Sequence, residues 1–137
     1  MSLLSTKGVY GLSAMFELSL IKSSKPTQIK DISAKAGIPQ NYLEQLLVVL
    51  RRANLVKSVR GAHGGYLLAK SANDIFVKDI LIALEGNLTI VDQETNDNAL
   101  NMFYKESNEK LKSIFDISLL ELQEYQEKVS QQLNYSI

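Results

Sequence analysis

Apolar residues recur along the first half of the chain with helical spacing. Val9, Leu12, Phe16 and Leu20 make one stripe, and Tyr10, Ala14, Leu18 and Ile21 make a second. The spacing predicts a helix from Ser5 or Thr6 to about Lys22, covered on two sides, by a helix-turn-helix core and by C-terminal helices of its own chain or a partner's. Either hydroxyl at its start is suited to accept an orphan backbone N–H. Ser23 to Pro26 reads as a loop. Thr27 then opens a short helix with Ile29, Ile32 and Ala36 facing inward and Lys30 and Lys35 outward. Gly37 ends it, and Ile38-Pro39 leads into the next helix. There Leu43, Leu46, Leu47 and Leu50 stand at i, i+3, i+4 and i+7, which leaves Asn41, Glu44, Gln45, Val48 and Arg52 on the opposite face.

After that helix Asn54 falls where a left-handed residue is expected. The period then switches to two: Val56, Ser58 and Arg60 alternate with Leu55, Lys57 and Val59. Gly61, Ala62, His63, Gly64 and Gly65 turn the chain, and Tyr66 to Ala69 return as a second strand, a hairpin pattern. A short helix, a glycine turn, a second helix and a hairpin make a winged helix-turn-helix. Beyond the polar stretch Ser71 to Asp74, Ile80, Leu81 and Leu84 mark a helix near Lys78 to Leu84. Glu85 to Asn98 reads mainly as a loop. A helix from Ala99 to Phe115 follows, with Leu100, Phe103, Leu111, Ile114 and Phe115 as apolar positions. Asp116-Ile117 breaks the pattern. Ser118 and Glu121 then form a capping box that opens a last helix, with Leu119, Leu122, Tyr125 and Val129 along one side. The expected fold is mainly α with a small two-stranded wing.

Charge sharpens this picture. The formal net charge is zero, yet residues 1–75 hold ten Lys/Arg against four Asp/Glu, and residues 76–137 hold five against eleven. A basic front half suits nucleic acid and leaves the acidic half another task. No apolar run approaches the roughly 18 residues of a membrane span, and the start MSLLSTKG lacks a secretory layout. A cytoplasmic location is expected, with no membrane partner. There is no cysteine and one histidine, His63. Disulfides, thiolate-held metals and histidine clusters are thereby excluded, and neither a metal site nor a cofactor is expected. No phosphate-binding glycine loop or nucleophile–base pair is present, so an enzyme is not expected.

Several side chains suit DNA. Asn41 and Gln45 each offer a base edge one donor and one acceptor, the pairing adenine favours. Glu44 suits a cytosine amine, or else repels misplaced phosphate. Tyr42 is either a phosphate contact or a core-edge residue. Arg51 and Arg52 suit phosphates, although Arg51 could equally pair within the fold. Arg60 stands out, because it closes a strand beside a glycine-rich tip from which a guanidinium can enter a minor groove. The alternative for it is a solvated hairpin arginine. Gly61, Gly64 and Gly65 let that tip turn tightly and approach a sugar–phosphate backbone. His63 is a neutral tip residue or a phosphate contact, and Lys7 and Lys57 are plausible phosphate partners.

At YLEQL (Tyr42 to Leu46), LR (Leu50-Arg51), LVKSVRG (Leu55 to Gly61) and GGYLL (Gly64 to Leu68), the chain resembles the Rrf family of bacterial winged-helix regulators. STKGVYGLSAM near the start, LEG at Leu84 to Gly86 and ISLLEL at Ile117 to Leu122 are similar too. The resemblance covers nearly the whole chain. It implies a homodimeric repressor or activator on a pseudo-palindromic operator in double-stranded DNA. Taken with the charge division, this gives a DNA-binding domain, 1–75, and an appended helical dimerisation and sensing arm, 76–137. Many members hold an iron–sulfur cluster on three cysteines in the loop matching Glu85 to Asn98. Here that loop offers only Asp92, Glu94, Asp97 and neutral side chains, and hard carboxylates are poor substitutes for thiolates.

The cysteine-free branch of that family controls sulfur and cysteine metabolism, and the resemblance implies sensing through cysteine synthase. The end of the chain, Tyr135-Ser136-Ile137, resembles the isoleucine tails that place a carboxylate in that enzyme's active site. A chance terminal isoleucine is the alternative. Two further alternatives stay open: a regulator of this kind sensing a small effector, and a winged helix that serves only protein interaction.

Overall fold

The computed structural model describes residues 2–135, with only the backbone of Tyr135 defined. Helix α1 spans Thr6–Ser19, α2 spans Ile29–Ala36 and α3 spans Gln40–Arg52. The antiparallel wing pairs β1 (Val56–Val59) with β2 (Gly65–Leu68), in the register Val56 opposite Leu68. A 3₁₀ turn at Ala72–Asp74 leads to α4 (Val77–Glu85). Helices α5 (Asn98–Ile114), α6 (Leu119–Leu122) and α7 (Glu124–Tyr135) complete the chain. The architecture is the expected one, mainly helical with a two-stranded wing.

The leucine stripe of α3 is fully buried: Leu43, Leu46, Leu47 and Leu50 are all at most 1% exposed. They pack with Ala14, Met15 and Leu18 of α1, Ile32 of α2, and Ile80 and Leu84 of α4 in one cluster. Gly37 takes the left-handed conformation that ends α2 (φ 68°), and Asn54 does the same after α3 (φ 61°). The Ser118 box forms: Glu121 N–H donates to Ser118 Oγ at 3.1 Å, and Ser118 N–H points at Glu121 Oε1.

Five expectations need correction. Helix α1 ends at Ser19 rather than near Lys22, because the Ser19 carbonyl accepts from Gln123 Nε2 at 3.0 Å and no backbone amide further along takes it. Ser5 holds the N-cap position of α1, but its hydroxyl accepts no helix amide and instead donates to Glu85 Oε1 at 2.6 Å. Thr27 does not open α2. It pairs with Tyr66 through two backbone hydrogen bonds, 2.9 and 2.8 Å, as a third rung beside the wing. The alternation in β1 is not matched by burial: Val56 is buried and Lys57, Ser58 and Val59 are all exposed, because only the base of the hairpin reaches the core. The last helix is two, α6 and α7, with Gln123 between them.

Candidate nucleic-acid interface

Helix α3 owes its outward face to its buried one. With the leucines fixed inside, Asn41, Glu44 and Gln45 are exposed in its first half and Arg51 and Arg52 in its last turn. Tyr42 lies at the core edge, half-buried, its ring 5.8 Å from that of Tyr10 in an edge-on arrangement. Val48 is half-buried. Lys7 is exposed in the first turn of α1 and Lys57 on β1; Arg60, Gly61 and His63 are exposed in the connection between β1 and β2. Arg60 thus lies one residue past β1, where the ladder no longer constrains it.

The ion pair among the described residues joins Lys78 to Asp116 at 3.2 Å, far from this surface in sequence. None of Lys7, Arg51, Arg52, Lys57 and Arg60 is therefore neutralised by a described carboxylate. Arg51 does not pair within the described fold. Unpaired cations and exposed amides are the groups that phosphates and base edges require.

The three wing glycines divide by role. Gly61 has φ 113° and open space around its Cα, so it is free to approach another backbone. Gly64 is buried, and a Cβ there would strike the Val59 and Gly61 carbonyls. Gly65 has φ 150°, and a Cβ would collide with the Thr27 carbonyl. Internal packing accounts for the last two glycines.

A groove between the wing and the two helices adds residues the pattern reading did not single out for DNA. Arg60 and Gly61 line it together with Gln28 and Lys30 at the start of α2 and Gln40 at the start of α3. Lys30 was legible as an outward residue, but its convergence with Arg60 is tertiary. Ser136 and Ile137 lie outside the described residues, and Tyr135 contributes only backbone at the end of α7.

Residues 4–133 match the Rrf2 family model, described as an iron-dependent transcriptional regulator. The chain belongs to the Rrf2 family. The HTH-type transcriptional regulator CymR of Bacillus subtilis (strain 168) is 39% identical over 119 residues, 86% of each chain. The solved structure of CymR (YrzC), described as the global cysteine regulator of B. subtilis, superposes with a TM-score of 0.82. It is 36% identical over 91% of this chain and 98% of that one. IscR of T. potens superposes at 0.77, with 37% identity over 92% and 89% of the two chains. This Rrf2 chain is accordingly a transcriptional regulator and not an enzyme. Among the described residues no helix is long and apolar enough to cross a membrane.

The family description names iron, and the residues here do not fit a thiolate-held cluster. The chain has no cysteine. In the α4–α5 loop Asp92, Glu94 and Asp97 are exposed, and Asp97 is committed to capping α5, accepting from Ala99 N–H at 2.9 Å. No cluster of three or more potential metal-binding side chains occurs among the described residues. Amides organise this loop instead. Asn108 Oδ1 accepts from Ile90 N–H at 2.6 Å and its Nδ2 donates to the Val91 carbonyl. Asn101 accepts from Thr95 N–H at 2.8 Å and donates to the Thr95 carbonyl at 3.0 Å.

Proposed function

We propose that the chain acts as a homodimer on a pseudo-palindromic operator, repressing genes of sulfur and cysteine metabolism without an iron–sulfur cluster. Residues 1–75 form the DNA-binding domain and 76–137 the dimerisation and sensing arm. The reading of DNA is carried by one observation: α3 and the wing leave Asn41, Gln45 and Arg60 exposed, with no described carboxylate neutralising Arg60. Helix α3 enters the major groove with its N-terminal end foremost, and Arg60 reaches for the neighbouring minor groove.

Dimerisation is supported by apolar side chains left uncovered on the arm. Phe103 and Ile114 of α5 and Val129 and Leu133 of α7 are 53–64% exposed, large apolar side chains on two helices that a partner would cover. The sulfur role rests on likeness to CymR, and the absence of a cluster rests on the missing thiolates. Repression is proposed on the premise that the operator overlaps promoter DNA, where a seated dimer excludes polymerase.

Footprinting and genome-wide mapping of bound sites test the proposal. Paired half-sites about 34–36 Å apart on one face of the duplex are expected, near genes of sulfur metabolism. A single unpaired half-site would overturn the dimer, and binding that ignores salt would overturn the DNA reading. A second reading, sensing of a small effector by the protein itself, is favoured by a cavity behind the wing.

A further inference from the structure

That cavity, about 230 Å³, opens between the C-terminal end of α1, the α1–α2 connection and the back of β2. Its inner wall is apolar, from Leu18, Ile21, Leu68 and Ala72, and Lys25 and Lys70 line it as well. Both lysines are exposed and neither is paired with a carboxylate among the described residues. The nearby hydroxyls are engaged internally. Ser19 Oγ donates to the Phe16 carbonyl at 2.6 Å, Ser71 Oγ donates to Asp74 Oδ2 at 3.1 Å, and Ser23 Oγ accepts from Lys25 N–H at 3.1 Å. Thr27 and Tyr66 each bring a further hydroxyl to the lining, and the charged groups of the lining are two ammonium groups, which are donors only.

An apolar wall with two free cations at its edge complements a short hydrocarbon body ending in an anion. The volume lies below the roughly 300–1,000 Å³ of drug-sized sites, so the ligand is metabolite-sized. We propose that this cavity is an effector site for a small carboxylate with a short apolar body, and that its occupancy is transmitted to the wing. The inference rests on the effector-sensing reading above. Tyr66 lines the cavity and carries the two backbone hydrogen bonds to Thr27 that fix β2 to the α1–α2 connection. Ser19, on the same wall, is held by Gln123 at the α6–α7 junction. A ligand seated there presses on the backbone that sets the wing and touches the residue that anchors the arm.

The test uses the full-length chain, ¹⁵N-labelled and titrated with 4-methylpentanoate, with 4-methylpentan-1-ol and inorganic sulfate as separate arms. Operator affinity is followed in parallel by fluorescence anisotropy. The carboxylate should shift the amides of Ser19, Lys25, Tyr66 and Lys70 saturably and change operator affinity at least threefold. The alcohol and sulfate should each bind at least tenfold more weakly. Lys25→Gln with Lys70→Gln should weaken carboxylate binding tenfold or more, and Ala72→Leu, which fills the inner wall, should do so with both cations intact. Absence of saturable shifts, equal binding of sulfate, unchanged binding in both variants, or binding that leaves a measurable operator affinity unchanged would each overturn the proposal. Operator affinity without any carboxylate tests the regulator reading separately: its absence beside intact carboxylate binding would sink that reading and leave the ligand site standing.

Discussion

The carboxylate of Glu85, at the end of α4, accepts the backbone N–H of Gly8 at 3.0 Å across 77 positions of sequence. The same oxygen accepts the Ser5 hydroxyl at 2.6 Å and the Ser5 N–H at 3.1 Å. One anion therefore closes the start of α1 and ties it to α4. A negative charge is favoured at a helix N-terminus, where the first amides lack intrahelical partners. Glycine at position 8 leaves room for this contact, because a Cβ there would meet Glu85 Oε1 and displace the carboxylate.

Glu85→Ala is expected to destabilise the chain by about 1.5–3 kcal/mol, the range for hydrogen bonds to a charged group. Glu85→Gln keeps an acceptor but loses the charge and should fall between the two. Gly8→Ala should destabilise by pushing the Glu85 carboxylate off its hydrogen bonds, and should cost little further in the Glu85→Ala background. Urea unfolding midpoints check all three, and a Glu85→Ala midpoint equal to the parent's would show the cap to be energetically idle.

Arg60→Ala should weaken specific operator binding by about 1–3 kcal/mol and relax preference at the step it touches. Lys57→Ala, on the strand beside it, should instead weaken binding to all sequences alike and lower the salt slope by about one. Fluorescence anisotropy on operator and scrambled duplexes at several salt concentrations separates the two. Unchanged operator affinity in Arg60→Ala would remove that arginine from the interface.

The helix-turn-helix and wing were legible because their signals are local. Leucines at i, i+3, i+4 and i+7 dictate the buried face of α3, and Gly37 and Asn54 stop helices where a left-handed residue is needed. What the pattern missed is non-local. Nothing near Thr27 announces that its carbonyl will meet Gly65, so a helix start was the natural reading of a threonine before Ile29. The end of α1 depends on Gln123, 104 residues away. Gln28 and Gln40 join Arg60 only once α2 and α3 are folded against the wing. Helix α5 shows the converse limit: its apolar positions were visible, yet Leu100, Phe103 and Ile114 are exposed in the single chain, since periodicity names a face and not what covers it.

The two asparagines on α5 give a third prediction. Asn101 and Asn108 hold the α4–α5 loop by side-chain amides at both ends. Their removal should open the loop locally while the main core stays folded, since no residue of α5 is buried. With both changed to alanine, amide exchange at Ile90 and Thr95 should accelerate about 10–100-fold, and global stability should fall by less than about 1 kcal/mol. Unchanged exchange at those two amides would mean that the loop is held by other contacts.

The arm supplies the last prediction. Phe103 and Val129 are 61% and 53% exposed, and a glutamate at either costs little in a lone chain because no described core depends on them. In a dimer the same change buries an unpaired charge, which costs several kcal/mol. Phe103→Glu with Val129→Glu should therefore sediment as a folded monomer with the parent's circular dichroism. Operator affinity should fall by about 10²-fold or more, because two linked half-site contacts become independent events. Binding to an isolated half-site should be nearly unchanged, which distinguishes lost linkage from a damaged reading head. A double variant that stays dimeric would place the dimer contact elsewhere, and one that loses half-site binding as well would show that these residues support the reading head rather than linkage.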